Sequence, residues 1–417
     1  MVRIYIETYG CPANQNDSEI MAGLLQKAGY TIVKNPQASS IIILNTCIVK
    51  DQTHSKMLHR ILGLTKIYPK KRLIVAGCLA QLKLPIPADV TLIGPHNITD
   101  IVKVVKQNIS SIQSQYTTKI NLPRISQNSV IHKVQILEGC TGSCTYCIVK
   151  FVKPLLFSYP QKAILQEVRT GLANGAKEIW LTSQDNGAYM LDKASKSKLP
   201  ELLSAIDKIK GKFWVRVGMM NPDNILPVID KLIDAYKSEK VFKFIHIPVQ
   251  SGNNEILRLM NRRYSAKDFR YIVSSFRKAF PEITIATDII CGFPTETKAQ
   301  FQDTLDLVEE LKPDALNISR FMPRPLTKAK QMEQLDPMLK KQRTGQLTKL
   351  YHKIALENNQ KWIDWQGEVL VDEKHESNLI ARNYAYRQII LSKARSGSFK
   401  KVRITKADTF CLKGEII

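Results

Sequence analysis

The chain holds no apolar run approaching the roughly 18 residues that a membrane span requires. Its opening, Met1-Val-Arg-Ile-Tyr-Ile-Glu7, alternates like a strand and lacks the basic start and apolar stretch of a secretory leader. Both absences argue against a membrane partner and make the cytoplasm the expected compartment. Cysteine is scarce, at eight in 417 residues; in a reducing compartment these are better explained as ligands than as four disulfides. Acidic residues are also short, 37 against 61 basic, for a net charge of +24. That balance points to a polyanionic partner, with a generically basic surface as the bland alternative. No element reads as a dimerisation helix, so a monomer is expected. A hydrophobic share of 44% excludes a disordered tail and supports two or three domains with real cores.

Three regions follow one another. Residues 1–106 alternate β-rich runs (Val2 to Glu7, Ile41 to Leu44, Leu73 to Ala76) with helical patterns such as Asp17 to Ala28, the signature of a doubly wound parallel sheet in an α/β domain. Residues 107–130, rich in Ser, Gln, Asn and Thr, read as a linker. Residues 131–335 then carry six β-like runs, each followed by a helical pattern: Lys133 to Leu137, Glu178 to Thr182, Phe213 to Val217, Lys243 to Val249, Ile283 to Ile290 and Ala315 to Phe321. That count predicts a partial (β/α)6 barrel with functional groups on the loops after its strands. A helical connector over 336–362 leads to short strands in 363–417, which predict a small β-barrel. Between Leu379 and Lys413 stand nine basic residues (Arg382, Arg387, Lys393, Arg395, Lys400, Lys401, Arg403, Lys406, Lys413) and one acid, Asp408, with Tyr384, Tyr386, Phe399 and Phe410 interleaved. Basic groups for phosphates and aromatics for bases form an RNA-binding pattern.

Six of the eight cysteines fall into two sets. Cys11, Cys47 and Cys78 each follow a β-like run in the first region, at the strand ends where open α/β sheets bind ligands. They could converge on one metal centre; three separate half-buried cysteines is the alternative. The second set, Cys140-Thr-Gly-Ser-Cys144-Thr-Tyr146-Cys147, supplies three thiols in one loop. Three thiolates can ligate three corners of a 4Fe-4S cube and leave one iron open to a small molecule. A structural zinc site would need a fourth Cys or His, and the nearest candidate, His132, lies upstream in a strand. Cys291 and Cys411 sit in apolar runs and read as small core residues.

The Cys140 loop, with Tyr146 in its penultimate aromatic slot, resembles that of the radical S-adenosylmethionine (SAM) enzymes. The whole chain resembles a methylthiotransferase with a terminal TRAM domain, of the archaeal and eukaryotic type. The resemblance rests on Thr8-Tyr-Gly-Cys11-Pro-Ala-Asn14-Gln-Asn-Asp17-Ser-Glu19, Asn45-Thr-Cys47, Gly77-Cys78, Pro248-Val-Gln-Ser-Gly252, Asp288-Ile-Ile-Cys-Gly-Phe-Pro-Thr-Glu296 and Pro323-Arg-Pro-Leu-Thr327. It implies two 4Fe-4S clusters. One, on Cys140, Cys144 and Cys147, would bind SAM and release a 5′-deoxyadenosyl radical. The other, on Cys11, Cys47 and Cys78, would hold sulfur, so that a methylthio group replaces an unactivated hydrogen. The implied substrate is N6-threonylcarbamoyladenosine at tRNA position 37, with the isopentenyl adenosine of tRNA or an aspartate of a ribosomal protein as alternatives. A flavodoxin- or ferredoxin-like electron donor and a sulfur donor are implied partners. A rival without catalysis is an RNA-binding iron-sulfur protein.

Gln250 and Ser251 at a strand end would hydrogen-bond SAM or form a strand-terminal turn, and Gln184 carries the same two readings. Arg216, inside a strand, must be paired if buried, with a SAM carboxylate or an internal acid. Two positions depart from the family pattern: Lys153-Pro154 replaces the usual Arg-Gly pair, and Leu326 replaces a Gly. The first exchanges a bidentate guanidinium for a point charge.

Overall fold

The computed structural model describes residues 2–48, 51–82, 86–113, 115–375 and 378–417. The first module is a five-stranded parallel sheet of β1 (Arg3–Thr8), β2 (Thr31–Val33), β3 (Ile41–Thr46), β4 (Arg72–Gly77) and β5 (Thr91–Ile93), in the order β2-β1-β3-β4-β5. Alternate residues of its central strands face opposite layers. Ile41, Ile43 and Ile74 pack with Ile20, Met21 and Leu25 of helix Pro12–Lys27. Ile42, Leu44 and Val75 pack with Met57, Ile61 and Leu64 of helix Asp51–Ile67. Burial on both faces is why these strands read as unbroken apolar runs. The first helix begins five residues before the Asp17 expected from periodicity, because Pro12 is suited to a first turn that lacks hydrogen-bond acceptors for its N–H groups.

After the linker, β6 (Ile131–Gln135) leads into a short hairpin, β7 (Leu137–Glu138) with β8 (Phe157–Ser158), that brackets the cysteine loop. Strands β9 (Glu178–Thr182), β10 (Trp214–Val217), β11 (Phe244–His246), β12 (Thr284–Cys291) and β13 (Ala315–Arg320) complete two parallel three-stranded sheets, β6-β9-β10 and β11-β12-β13. A bridge between Val215 and Val241 joins them into one six-stranded arc. This is the partial barrel expected. β11 is shorter than its sequence run, because Pro248 offers no N–H and Gln250 turns with φ of +71°.

The connector is helix Pro337–Gln360, capped by the Asp336 carboxylate on the amides of Met338 and Leu339. Beyond it, β14 (Gln366–His375), β15 (Asn378–Asn383), β16 (Gln388–Leu391), β17 (Phe399–Ala407) and β18 (Leu412–Ile416) close a barrel in the order β14-β15-β16-β18-β17. It sits against the amino-terminal ends of the larger barrel's strands. Phe399 meets Trp214, the first residue of β10, edge-on, and the Lys243 amide donates to the Tyr384 carbonyl just before β11. The cysteine loop lies at the opposite, carboxyl ends. Among the described residues no helix is long and apolar enough to cross a membrane.

Candidate active site

Strands β1, β3 and β4 are neighbours, so the turns that follow them bring Cys11, Cys47 and Cys78 to one crest of the sheet. Asn14 ties these turns together. Its amide nitrogen donates to the carbonyls of Tyr9 (3.1 Å) and Thr46 (2.8 Å), and its Oδ1 lies 3.9 Å from Cys78 Sγ. Gly10, at φ of +112°, lets the first turn pass over Cys47: a Cβ there would stand 2.7 Å from Cys47 Cβ and 3.1 Å from its Sγ. Cys11 is exposed whereas Cys47 and Cys78 are buried, so the triad is open on one side. Burial pushes the Cys78 thiol well up, and the neighbouring Cys47 and Cys11 add to the shift against the lowering effect of Lys153.

The second triad is local. Cys140, Cys144 and Cys147 share a loop whose Gly142 leaves clear the space 3.3 Å from Cys140 Sγ and 3.6 Å from Cys144 Sγ that a side chain would take. Gln184 Oε1 accepts from the Gly139 amide at 2.9 Å and clamps the loop's start. Arg262 donates to Cys144 Sγ at 3.1 Å and to Asn221 Oδ1 at 2.6 Å. Asp185 accepts from both Asn221 (2.7 Å) and Asn224 (2.6 Å), and Asn224 in turn donates to Thr141 in the loop. Tyr146 meets Phe293 edge-on, and Phe293 meets Phe321, forming an apolar wall beside the sulfurs. Burial holds the Cys140 and Cys147 thiols up at about 12 and about 11, with Asp185 and Cys144 as the respective second causes. Metal loading at these thiols therefore releases protons and depends on pH.

Among the described residues no group of three Cys, His, Asp or Glu side chains is placed to hold a single metal ion. A cube-shaped cluster is a larger object, and the donors here suit it: three soft thiols per site, glycines that keep the sulfur faces clear, and none of the eight cysteines in a disulfide.

The remaining expectations divide. Gln250 is buried with an unpartnered Oε1, an acceptor available to a ligand N–H or O–H. Ser251 instead serves its turn, accepting from the Asn253 amide and meeting Thr304 Oγ1 at 3.3 Å. Among the described residues no internal acid forms an ion pair with Arg216; its guanidinium stands 5.1 Å from the Trp180 and Phe244 rings and 5.3 Å from Tyr386 of the terminal barrel. The RNA-binding pattern of the tail also needs correction. Arg382 lies 3.4 Å from Asp372 and Arg387 pairs with Asp314 at 2.5 Å, both largely buried, while Tyr386 and Phe399 pack on the larger barrel. Lys393, Arg395, Lys401, Arg403, Lys406 and Lys413 stay exposed, as does Phe410.

Sequence reading missed Arg262 and Asn224, which lie in other βα loops with no spacing rule to link them to a cysteine. It also missed the role of Lys153. Lys153 Nζ is buried 2.9 Å from Glu138, which also receives Lys119 (3.0 Å) and the Tyr159 hydroxyl (2.9 Å); Lys119 reaches Asp17 of the first helix at 3.3 Å. Burial pushes Glu138 up, but Lys119 and Lys153 outweigh it and hold the carboxyl at about 2. Leu326 keeps a glycine-like backbone, with φ of +66°, and its side chain is exposed.

Comparison with known proteins divides the chain in the same order. Residues 3–86 match Uncharacterized protein family UPF0004, 134–308 the Radical SAM superfamily and 368–417 the TRAM domain. A "Probable threonylcarbamoyladenosine tRNA methylthiotransferase" of Pyrococcus horikoshii is 40% identical over 100% of both chains, and one of Methanothermobacter thermautotrophicus is 39% identical over 97% of both. The human "Threonylcarbamoyladenosine tRNA methylthiotransferase" is 34% identical over 99% of this chain and 74% of its own. Among solved structures, the radical S-adenosylmethionine methyltransferase TsrM of Kitasatospora setae, with cobalamin and a 4Fe-4S cluster bound, superposes with a TM-score of 0.57 at 11% identity, covering 79% of this chain and 77% of that one. At that identity the likeness extends to the fold alone.

Proposed function

The chain belongs to the threonylcarbamoyladenosine tRNA methylthiotransferases, and from that premise we propose that it converts N6-threonylcarbamoyladenosine in tRNA to the 2-methylthio derivative with two 4Fe-4S clusters and SAM. The relatives are named for the threonylcarbamoyl substrate, which favours it over an isopentenyl base or a ribosomal aspartate. The observation that carries the two-cluster reading is the pair of three-thiol sites, one gathered from adjacent strand ends and one contained in a loop.

Cys140, Cys144 and Cys147 would hold the cluster that supplies an electron for SAM cleavage, and Cys11, Cys47 and Cys78 the one that supplies sulfur. Around them the chain's own residues bind, orient and exclude water. Arg262 places a cation beside Cys144, offsetting thiolate charge, and fixes Asn221. Asp185, held by two asparagines, steadies the loop that Asn224 touches. The buried Oε1 of Gln250 is an acceptor for the SAM amino or ribose groups. Tyr146, Phe293 and Phe321 keep water from the sulfurs. Exposed Lys401, Arg403 and Lys406 offer phosphate contacts. A flavodoxin- or ferredoxin-type electron donor, a sulfur source and a cytoplasmic monomer complete the proposal.

The test is iron and labile sulfide per chain after anaerobic reconstitution, with 5′-deoxyadenosine release measured alongside. About eight irons are expected, falling to about four in Cys11→Ala and in Cys140→Ala, with SAM cleavage lost only in the latter. About four irons, unchanged by Cys11→Ala, would leave a one-cluster radical enzyme and remove sulfur insertion from the reading.

A further inference from the structure

Strand β13 is the outer strand of the six-stranded arc, and the connector helix runs beside it. Between them lies a groove of about 670 Å³ lined by Ile318, Arg320, Lys341, Thr344, Gly345, Thr348, Lys349 and His352. Three of the eight lining residues are Lys or Arg, a fourth is His and none is acidic. Lys341, Lys349, His352 and Arg320 are exposed, and Gly345 adds no side chain, leaving the helix face open for close approach.

The groove has direction. Arg320, the last residue of β13, marks the carboxyl ends of the strands, where the cysteine loop sits. Eleven helical steps carry the lining from Lys341 to His352, roughly 16 Å at 1.5 Å per residue. At the far end the His352 ring stands edge-on to Phe410 of the terminal barrel, 5.1 Å between centroids, and Phe410 is 64% exposed. A bare aromatic at the end of a basic trough is the combination that single-stranded nucleic acid selects, phosphates on cations and a base on a ring.

Resting on the tRNA reading above, we propose that this groove seats the RNA backbone flanking the target adenosine, with Arg320, Lys341, Lys349 and His352 on phosphates and Phe410 as a stacking platform. It leads an RNA strand from the terminal barrel toward the mouth of the larger one. The occupant is identified by charge: a trough without a carboxylate, on a chain of net charge +24, repels a basic partner and attracts a polyanion. Its contribution is to position the substrate, since phosphate contacts set register and not sequence.

The experiment is binding of an anticodon stem-loop RNA carrying threonylcarbamoyladenosine, titrated across salt concentrations on the reconstituted full chain. In Lys341→Ala/Lys349→Ala the slope of log K against log salt should become shallower by about 1.4 to 1.8, two phosphate contacts' worth. Phe410→Ala should weaken binding roughly 5- to 150-fold with the slope unchanged. Lys208→Ala/Lys210→Ala removes two charges from another basic hollow, lined also by Arg169, and should leave the slope as it was. RNA-independent SAM cleavage should be intact in all three, which certifies folded and loaded protein. If Lys341→Ala/Lys349→Ala keeps the unaltered slope, or the Lys208/Lys210 pair flattens it equally, the groove assignment falls and the tRNA reading stands. Failure of the unaltered chain to bind the RNA would bring down both.

Discussion

The two seams that hold the partial barrel to its neighbours are built from opposite materials. Toward the first module the contact is ionic: Asp17, Lys119, Glu138 and Lys153 form a buried, charge-balanced ladder, Glu19 pairs with Lys133 at 2.8 Å, and Arg124 reaches Glu167 at 2.7 Å. Toward the terminal barrel, beside the Arg387–Asp314 pair, the contact is mainly aromatic: Tyr386 packs between Phe242 and Phe244 with Arg216 and Arg382 over its ring, and Trp214 meets Phe399. The difference follows the chemistry. Glu138 stands two residues before Cys140, and Lys153 acts electrostatically on both Glu138 and Cys78, so the ionic seam ties the two thiol sites to one set of directional bonds. Hydrogen-bonded ion pairs set angle and distance. Apolar burial is non-directional and tolerates small slides, which suits a module placed away from the sulfurs.

Breaking the ionic seam gives the largest effect. Glu138→Ala leaves Lys119 and Lys153 buried without their shared carboxylate and should cost about 3–5 kcal/mol, the range for removing one partner of a buried pair. Denaturant unfolding would measure it. Glu138→Gln, which keeps the shape and the Tyr159 contact, should still lose most of this, because the deficit is in charge. A change below about 1 kcal/mol in Glu138→Ala would mean that the ladder is solvated in solution and that the two thiol sites are not tied through it.

The aromatic seam answers to volume instead. Tyr386→Ala removes a ring packed against Phe242, Phe244 and Arg216 and should cost about 3 kcal/mol, at the low end for large-to-small changes because the residue is not fully buried. Tyr386→Phe should be near neutral if packing alone matters. Measured by the same unfolding curves, equal losses in Tyr386→Phe and Tyr386→Ala would show that the hydroxyl carries the seam and would overturn the contrast. SAM cleavage should persist in Tyr386→Ala while tRNA affinity drops, since the terminal barrel would be loosened and the cysteine loop would not.

The legibility of the chain follows the range of its contacts. Strand runs such as Ile41-Ile-Ile-Leu44, and the six βα repeats, were readable because hydrophobic periodicity is local. The Cys140 loop was readable for the same reason. The Cys11 triad could be anticipated only because parallel sheets bring strand ends together, a rule of topology and not of spacing. What escaped was everything decided by one module's effect on another. Arg382, Arg387, Tyr386 and Phe399 looked like RNA contacts in sequence, and the seam against the larger barrel claims them. Lys153 looked like a mere point charge in place of the family's guanidinium and is a buried ion-pair partner. Leu326 holds a left-handed turn where the family's glycine would relax it, a strain of about 1 kcal/mol that composition does not display.

The smallest effect sharpens the comparison most, because the two seams should respond to pH with opposite sign. In the ionic seam burial lowers His96 from 6.5 to about 4, and Lys119 and Lys153 overcome burial to hold Glu138 at about 2, down from 4.5. Groups with depressed folded values stabilise above their unfolded values, so His96 and Glu138 weaken this seam as pH falls below about 6.5 and further below 4.5, against Asp17, whose carboxyl burial raises. In the aromatic seam Glu178 faces Asp372 beside Arg382. Burial and then each other's charge push Glu178 well up, and burial, opposed by Arg382, raises Asp372 from 3.8 to about 6. An acid with a raised folded value stabilises below its unfolded value and loses that contribution as pH climbs, so this seam weakens from about pH 4 through 6 and above. Each proton is worth at most about 1.4 kcal/mol per pH unit. Hydrogen exchange, corrected for its intrinsic pH dependence, should therefore open residues 378–391 first on the alkaline side and residues 131–138 first on the acid side. Asp372→Asn should flatten only the alkaline limb. If both segments open on the same side of neutrality, the Glu178–Asp372 contact is not a proton-sharing pair, and the terminal barrel is held by its rings and the Arg387–Asp314 pair.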